Sequence, residues 1–266
     1  MAGRLPGATV ADVIDLSQPW ALAFLLVAGL LAGAVNAVAG GGSLLVFPAL
    51  LAVGFPPLAA NVTNSVAQWP GYAGLVLGSR QELPGQGRRI AGTAVAAALG
   101  SGVGCALLLV LPTAVFDAVV PVLVILAALT MAVGPRLKRW IGDPADAGRD
   151  RTTALTVAVF LAAIYGGYFG GALGVVLISA LALFAHDELR RLNALKGVLS
   201  LVVATVTVAV FALGAPVDWL AVALLAPTTL VGGYLGALVA RRMPETLLRW
   251  AVVVLGLAVG VALFLQ

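Results

Sequence analysis

The sequence predicts an all-α polytopic membrane protein of two inverted repeats, each with about five apolar segments, or about 8–10 helices in total. The composition, the lengths of the apolar runs and the placement of the basic residues lead to this prediction. Of the 266 residues, 62% are hydrophobic and 10% are charged, whereas a soluble domain is about 25% charged. A chain this apolar cannot cover a water-facing surface, which excludes a soluble domain.

Ten apolar segments follow one another along the chain. They run over 20–39, 43–54, 58–78, 90–111 and 114–134, and then over 152–171, 173–185, 190–213, 217–239 and 245–264. Most are near the ~20 residues that a helix needs to span a bilayer. The segments 43–54 and 173–185 are short, because a 12-residue helix extends about 18 Å, roughly half of the hydrocarbon core. Each of these two is expected either to span the membrane or to be re-entrant.

The basic residues fall in alternate connections between the segments. They are Arg80, Arg88 and Arg89, then Arg136, Lys138, Arg139, Arg149 and Arg151, then Arg190 and Arg191, and then Arg241 and Arg242. By the positive-inside rule these loops face the cytoplasm, and both termini face outward. The basic loops therefore set orientation, and the net charge of +4 does not indicate nucleic-acid binding.

This pattern divides the chain into four regions. They are a tail over 1–19, a first transmembrane repeat over 20–134, a cytoplasmic basic loop over 135–151 and a second transmembrane repeat over 152–264. A register shift of 132 aligns Asn61 with Asn193, Asn64 with Lys196, Gly100 with Gly232 and Gly104 with Gly236, and a shift of 134 aligns Gly33 with Gly167 and Gly40 with Gly174. Each half holds an odd number of segments, so the halves enter the membrane from opposite sides. Inverted repeats with paired, glycine-interrupted segments are typical of secondary transporters.

The stretch AVNAVAGGGSLLVFP (34–48) interrupts the first repeat, and YGGYFGGALGVVLISA (165–180) is its partner. A helix that begins at Ser43 would direct unpaired amides and a positive dipole end toward Gly41 and Gly42, which favours an anion. The alternative is that these glycines only allow close helix packing. The same reasoning is weaker for Gly171, which no hydroxyl follows. The amide of Asn36 is expected either to bind a ligand or to bond the broken backbone.

A polar stripe opens the third segment. Asn61, Asn64, Ser65 and Gln68 share one helix face, and Thr63 lies beside them. Such a stripe must face protein or water, either as a transport pathway or as interhelical hydrogen bonds. In the second repeat, Asn193 and Lys196 correspond to Asn61 and Asn64. Lys196 is expected either to extend toward the cytoplasmic interface or to attract an anion from within the core.

The sequence has few of the residues that disulfides, metal sites or catalytic sites require. With one cysteine, Cys105, and one histidine, His186, neither a disulfide framework nor a Cys/His metal site can form. There is no Ser-His-Asp set and no nucleotide motif, so the chain is predicted not to be an enzyme and to use no cofactor. No Asp or Glu lies deep in a segment, which favours anions over cations as substrates.

These features together resemble the sulfite exporter TauE/SafE family, also called the toluene sulfonate uptake permeases. The resemblance is carried by GAVNAVAGGGSLLVFPALLAVGFPPLAANVTNS (33–65), YGGYFGGALG (165–174), NALK (193–196) and VGGYLGALVARRMP (231–244). It implies a bacterial-type inner-membrane secondary transporter, often linked to sulfite, sulfonates, sulfoacetate or related sulfur compounds.

The expected function is therefore the transport of small anions by alternating access between the inverted halves. The alternatives are an anion channel and a transporter of non-sulfur organic anions. The expected partners are a small anionic substrate, the lipid bilayer, a coupling ion (proton or sodium) and a second copy of the chain in a homodimer.

Overall fold

The computed structural model describes residues 19–141, 150–239 and 245–265, and it contains no β-strand in these ranges. Nearly all of the predicted tail and part of the predicted basic loop lie outside the described residues. The α-helices are α1 (Pro19–Val38), α2 (Ser43–Ala52), α3 (Pro57–Ala67), α4 (Trp69–Gly78), α5 (Gly87–Val110), α6 (Thr113–Ile141), α7 (Thr152–Tyr168), α8 (Leu173–Phe184), α9 (Leu189–Gly214), α10 (Trp219–Val239) and α11 (Glu245–Phe264).

The prediction of an all-α polytopic membrane protein is confirmed. Among the described residues, five helices are long and apolar enough to cross a membrane, namely α1, α5, α9 and most of α6 and α10. Large apolar side chains such as Leu99, Leu161 and Val254 are exposed on the outside of the bundle, as expected for a surface in contact with lipid.

The helices follow the ten predicted segments, with one segment divided in two. The segment 58–78 forms α3 and α4, which meet at Gln68. Pro70 causes the break, because proline has no amide hydrogen for the carbonyl of Val66 one turn earlier. At the end of the first repeat, α6 continues to Ile141, past the predicted boundary at residue 134.

Both repeats break their first helix with the same backbone turn. The amide of Gly40 donates to the carbonyl of Val35 at 2.8 Å, and the amide of Gly170 donates to that of Tyr165 at 3.1 Å. Both glycines have positive φ angles, +86° and +74°, which an L side chain rarely adopts. Gly40 therefore corresponds to Gly170.

The predicted pairing of Gly40 with Gly174, and of Gly33 with Gly167, is wrong by about one helical turn. In a glycine-rich chain, a register displaced by one turn matches nearly as well. The predicted shift of 132 holds for the later helices. Gly100 packs against the carbonyl of Phe160, and Gly232 packs against that of Leu30. Leu30 and Phe160 are related by the same register as Gly40 and Gly170, so the two glycine contacts are equivalent.

The two broken segments form hairpins whose tips meet inside the bundle. The amide of Arg151, just before α7, donates to the carbonyl of Phe184 at the end of α8 at 2.8 Å, so both ends of this hairpin lie together. At its tip, the amide of Gly174 donates to the carbonyl of Gly40 at 3.1 Å. The helices α2 and α8 have 10 and 12 residues, or about 15–18 Å, and return through about half of a hydrocarbon core.

The repeats are interlocked rather than placed side by side. Helix α1 of the first repeat packs closely on α10 of the second, and α7 of the second packs closely on α5 of the first. Both contacts are made by backbone, because Gly33 lies against Thr229 and Gly233, and Gly104 lies against Ile164 and Tyr168. Small residues allow such close approach between membrane helices.

Candidate functional site

A small pocket, lined in part by polar residues, lies where the two hairpins and the helices α3, α4 and α9 converge. Its polar lining consists of Ser43, Ser65, Gln68, Tyr72, Ser200 and Thr207, and its remaining wall of Gly166, Gly170, Leu173, Val203 and Ala204. Its volume is about 20 Å³, close to the space that one water molecule needs. The structure therefore shows this site in a closed form.

The repeat brings Gln68 and Ser200 to the wall of the same pocket. The register shift that relates α3 and α4 to α9 also relates these two positions. Ser65 and Tyr72 lie about one turn before and after Gln68, and Thr207 lies two turns after Ser200, so each group lines one helix face. The pocket thus takes polar groups from equivalent positions of the two repeats.

Ser200 has a feature that separates it from the other lining residues. Its side chain is 0% exposed, and its Oγ has no hydrogen-bond partner among the described residues. An unpaired buried hydroxyl costs about 1–3 kcal/mol. Such a group is expected where it serves a ligand rather than the fold.

Asn36 holds the broken helix of the first repeat in place. Its Oδ1 accepts a hydrogen bond from the amide of Gly42 at 2.7 Å, and its Nδ2 donates to Gln68 Oε1 at 2.9 Å. Gln68 Nε2 in turn donates to Asn64 Oδ1 at 3.3 Å. Of the two predicted roles of Asn36, the structure shows the bond to the broken backbone, and this bond also orients the amide of Gln68 beside the pocket.

Lys196 is buried in the core rather than extended to the interface. Its side chain is 1% exposed, and its Nζ donates to the carbonyl of Asn36 at 3.1 Å. This carbonyl lies in the last turn of α1, where the helix dipole is negative and favours a cation. Lys196 is one turn from Ser200 on the same helix and so places a positive charge close to the pocket.

Two asparagines make corresponding contacts in the two repeats, displaced from each other by one residue. Asn61 Nδ2 donates to the carbonyl of Tyr168 at the end of α7 at 3.0 Å, and Asn193 Nδ2 donates to the carbonyl of Ala37 at the end of α1 at 3.2 Å. Each asparagine therefore bonds the broken helix of the other repeat. These bonds connect the stripe of polar residues on α3 to the break after α7. They also connect its counterpart on α9 to the break after α1.

The other predicted site residues lie outside the lining of the pocket. Thr63 Oγ1 accepts a hydrogen bond from the amide of Asp218 at 3.0 Å, near the start of α10. A side chain at Gly41 would meet Met131 Sδ at 2.5 Å, one at Gly42 would meet the carbonyl of Ala32, and one at Gly171 would meet the ring of Phe169. Close packing thus accounts for these three glycines in the closed form.

Among the polar lining residues, Tyr72, Ser200 and Thr207 lie outside the two stretches from which the binding residues of the first repeat were predicted. Each stands alone in an apolar run, so no local pattern marks it. The repeat held a signal for Ser200, because the shift that relates Asn61 to Asn193 also relates Gln68 to Ser200. Tyr72 and Thr207 offered no such signal.

A network of charged side chains joins the loops at the end of the bundle where α5 and α9 begin. Arg89 forms salt bridges to Asp150 and to Asp187, both at 2.8 Å, and Arg191 forms one to Asp187 at 2.8 Å. Burial alone would raise the pKa of each carboxyl group. The hydrogen bonds from Arg89, together with those from Arg191 and from backbone amides and with the nearby positive charges, outweigh this effect and hold the pKa of Asp150 and of Asp187 below the ordinary value.

The described part of the chain contains no group of three or more His, Cys, Asp or Glu residues that could hold a metal ion. The donors near the pocket are instead hydroxyls, amides, backbone groups and the ammonium of Lys196. These are groups that can replace the hydration shell of a small ion without a tightly bound metal.

The sequence of the chain is similar to those of known membrane proteins. The chain matches the family described as Sulfite exporter TauE/SafE over residues 25–263. It is 28% identical over 240 residues to the "Probable membrane transporter protein" of Haemophilus influenzae, covering 88% of this chain and 91% of that one. It is also 28% identical over 236 residues to the "Probable membrane transporter protein YfcA" of Escherichia coli, covering 85% and 81% of the two chains.

Proposed function

The chain belongs to the sulfite exporter TauE/SafE family, and we propose that it is a secondary transporter of small anions that works by alternating access. The family and its relatives support a multi-pass membrane transporter. The proposed substrates are sulfite, sulfonates, sulfoacetate or related sulfur compounds, and their movement across a bacterial-type inner membrane is part of the proposal.

The observation that carries this proposal is the pocket between the hairpin tips, with the unpartnered hydroxyl of Ser200 in its wall. Hydroxyl and amide groups can donate hydrogen bonds to the oxygens of a sulfite or sulfonate group. They come from both repeats, and in secondary transporters built from inverted repeats the substrate site lies near the midplane at the interface between the repeats. A small anion held here would replace the missing partner of Ser200.

The charge distribution favours an anion. Lys196 is buried one turn from Ser200, and a positive charge in low dielectric attracts an anion more strongly than it does in water. The described segments place no carboxylate in the wall of the pocket. An organic cation would therefore find no opposite charge here, whereas an oxyanion would.

The size of the pocket favours a carrier over a channel. A cavity of about 20 Å³ is too small for a sulfite ion, so binding requires the surrounding helices to move. A channel with the same lining would need a continuous water-filled path instead. The proposed cycle opens the pocket first to one side of the membrane and then to the other.

The orientation in the membrane is also part of the proposal. Arg89, Asp150, Asp187 and Arg191 are joined at one end of the bundle. The positive-inside rule supports a cytoplasmic location for this end. The homodimer remains a prediction from the sequence.

A flux experiment tests the proposal. Purified protein in liposomes is loaded with sulfite or a sulfonate, and counterflow of the labelled anion is measured. We expect saturable counterflow, and we expect Lys196→Ala and Ser43→Ala to abolish it in protein that remains folded. Ser179→Ala is the matched control, because Ser179 Oγ bonds only the carbonyl of Val175 within its own helix. Flux that is unchanged in both site variants would contradict the site, and fast unsaturable conductance would favour the channel.

A further inference from the structure

We propose that the end of α7 holds a monovalent alkali cation, Na⁺, bound by the side-chain oxygen of Asn61 and by backbone carbonyls. This inference rests on the proposed transport function, in which Na⁺ would be the coupling ion. It starts from Asn61, whose side chain is 0% exposed. Its Oδ1 has no hydrogen-bond partner in the described ranges, and the bond from Nδ2 to the carbonyl of Tyr168 determines which atom is the oxygen.

The end of α1, which is the equivalent of the end of α7, shows that this position can accommodate a cation. There Asn193 takes the place of Asn61, and the ammonium of Lys196 lies against the carbonyl of Asn36, beside the contact from Asn193 to Ala37. A fixed cation thus occupies the end of α1. The residue that corresponds to Lys196 in the first repeat is Asn64, which is uncharged and shorter. The equivalent end of α7 has the asparagine and the carbonyls but no lysine.

The backbone turn explains why a cation is accommodated there. In the first repeat, the amide of Gly40 donates its hydrogen bond to the carbonyl of Val35 rather than to that of Asn36. The carbonyl of Asn36 therefore accepts the bond from Lys196. In the second repeat, the amide of Gly170 likewise donates to the carbonyl of Tyr165. The carbonyl of Gly166 is therefore the equivalent of the carbonyl of Asn36. Carbonyls at a helix end lack intrahelical partners and carry the negative end of the dipole.

The ligand chemistry selects Na⁺ over a proton. Amide and carbonyl oxygens are hard, neutral ligands that coordinate alkali cations at broken helices in transporters. None of them titrates near neutral pH, so a proton would find no base. The unpartnered Oδ1 of Asn61 is an acceptor and cannot receive the anion, which separates this position from the pocket at Ser200.

Binding of Na⁺ is measured directly on the full chain in detergent, without any anion substrate. We expect saturable ²²Na⁺ binding that choline chloride does not displace. We also expect a melting temperature higher in NaCl than in choline chloride, by about 2–4 °C once Na⁺ exceeds its Kd about fivefold. Equal melting temperatures in the two salts, with no saturable ²²Na⁺ binding, would overturn the proposal.

Variants locate the site. Asn61→Ala should remove the Na⁺-dependent shift, whereas Asn193→Ala, the matched change in the other repeat, should retain it. Asn64→Lys should supply the ammonium that Lys196 supplies elsewhere, and so yield a folded protein whose melting temperature no longer responds to Na⁺. If Asn61→Ala does not fold, Asn61→Asp should bind Na⁺ more tightly. Na⁺ affinity that is unchanged in the folded Asn61 and Asn64 variants would overturn the assignment.

Failure of the Na⁺ site can be distinguished from failure of the proposed anion transport. Anion counterflow is measured with equal Na⁺ on both sides of the liposome, where it reports on the anion site. Anion flux without Na⁺ binding would reject only the Na⁺ site. Na⁺ binding without anion flux would reject only the proposed substrate class.

Discussion

The amide of Gly174 donates a hydrogen bond of 3.1 Å to the carbonyl of Gly40, so the two broken segments meet backbone to backbone. A Cβ atom on Gly174 would lie 2.5 Å from Gly40 Cα, and no flexible side chain is available to yield. This contact holds the tips of both hairpins against each other, and one residue of each tip, Ser43 and Gly170, lines the pocket.

We expect Gly174→Ala to separate the tips, to lower the free energy of unfolding by about 1–3 kcal/mol through overpacking and to reduce anion flux. The control is Gly102→Ala, because a Cβ atom at Gly102 in α5 would meet nothing within 4 Å. That change should stabilise the helix by up to about 1 kcal/mol. Thermal unfolding in detergent and counterflow in liposomes measure both effects. Equal behaviour of the two variants would contradict the tip contact.

Ser200→Ala should separate function from stability. The hydroxyl is buried without a partner among the described residues, so its removal should leave the free energy of unfolding unchanged or raise it by about 1 kcal/mol. Anion flux should nevertheless fall. A melting temperature measured beside the counterflow rate distinguishes this result from a structural role. If the variant is less stable and its flux per folded molecule is unchanged, Ser200 serves the fold and not the substrate.

Arg89→Gln should destabilise the protein by about 2 kcal/mol, because it removes the charged hydrogen bonds that Arg89 makes to Asp150 and Asp187. The neighbouring Arg88 is exposed, and Arg88→Gln should change the free energy of unfolding by less than about 0.5 kcal/mol. Chemical or thermal unfolding of the two variants in parallel gives the comparison. Similar losses in both would mean that only the total positive charge matters at this end of the bundle.

Stability should also depend on pH through the same network. The pKa values of Asp150 and Asp187 lie below the ordinary value in the folded protein. Their stabilising contribution is therefore complete above the ordinary pKa near 4 and is lost as the pH falls through the folded values. Melting temperatures should stay level between about pH 8 and 5 and then fall below about pH 4. Arg89→Gln should flatten this fall, and parallel curves for the two proteins would contradict the assignment to this network.

The sequence allowed the ten segments and both helix breaks to be predicted, because glycines weaken a helix and the glycine-rich breaks each precede an unusually short segment. It did not determine the register of the repeat around Gly40, since neighbouring glycines one turn apart give nearly equal matches. Nor could the partners of Arg89 be predicted. They lie 61 and 98 residues away, and their approach depends on how the loops pack. Ser200 escaped local pattern reasoning because a single hydroxyl in an apolar helix is common.

The backbone contacts of α1 with α10 and of α5 with α7 have a mechanical consequence. Because glycines bring the backbones of each pair into direct contact at several points, few side chains there can change rotamer, and each pair should tilt as one stiff beam. Each beam combines one helix from each repeat. The parts that rock during transport are therefore expected to cross the boundary between the repeats, and cross-links within a beam should leave flux intact while cross-links between the beams should arrest it.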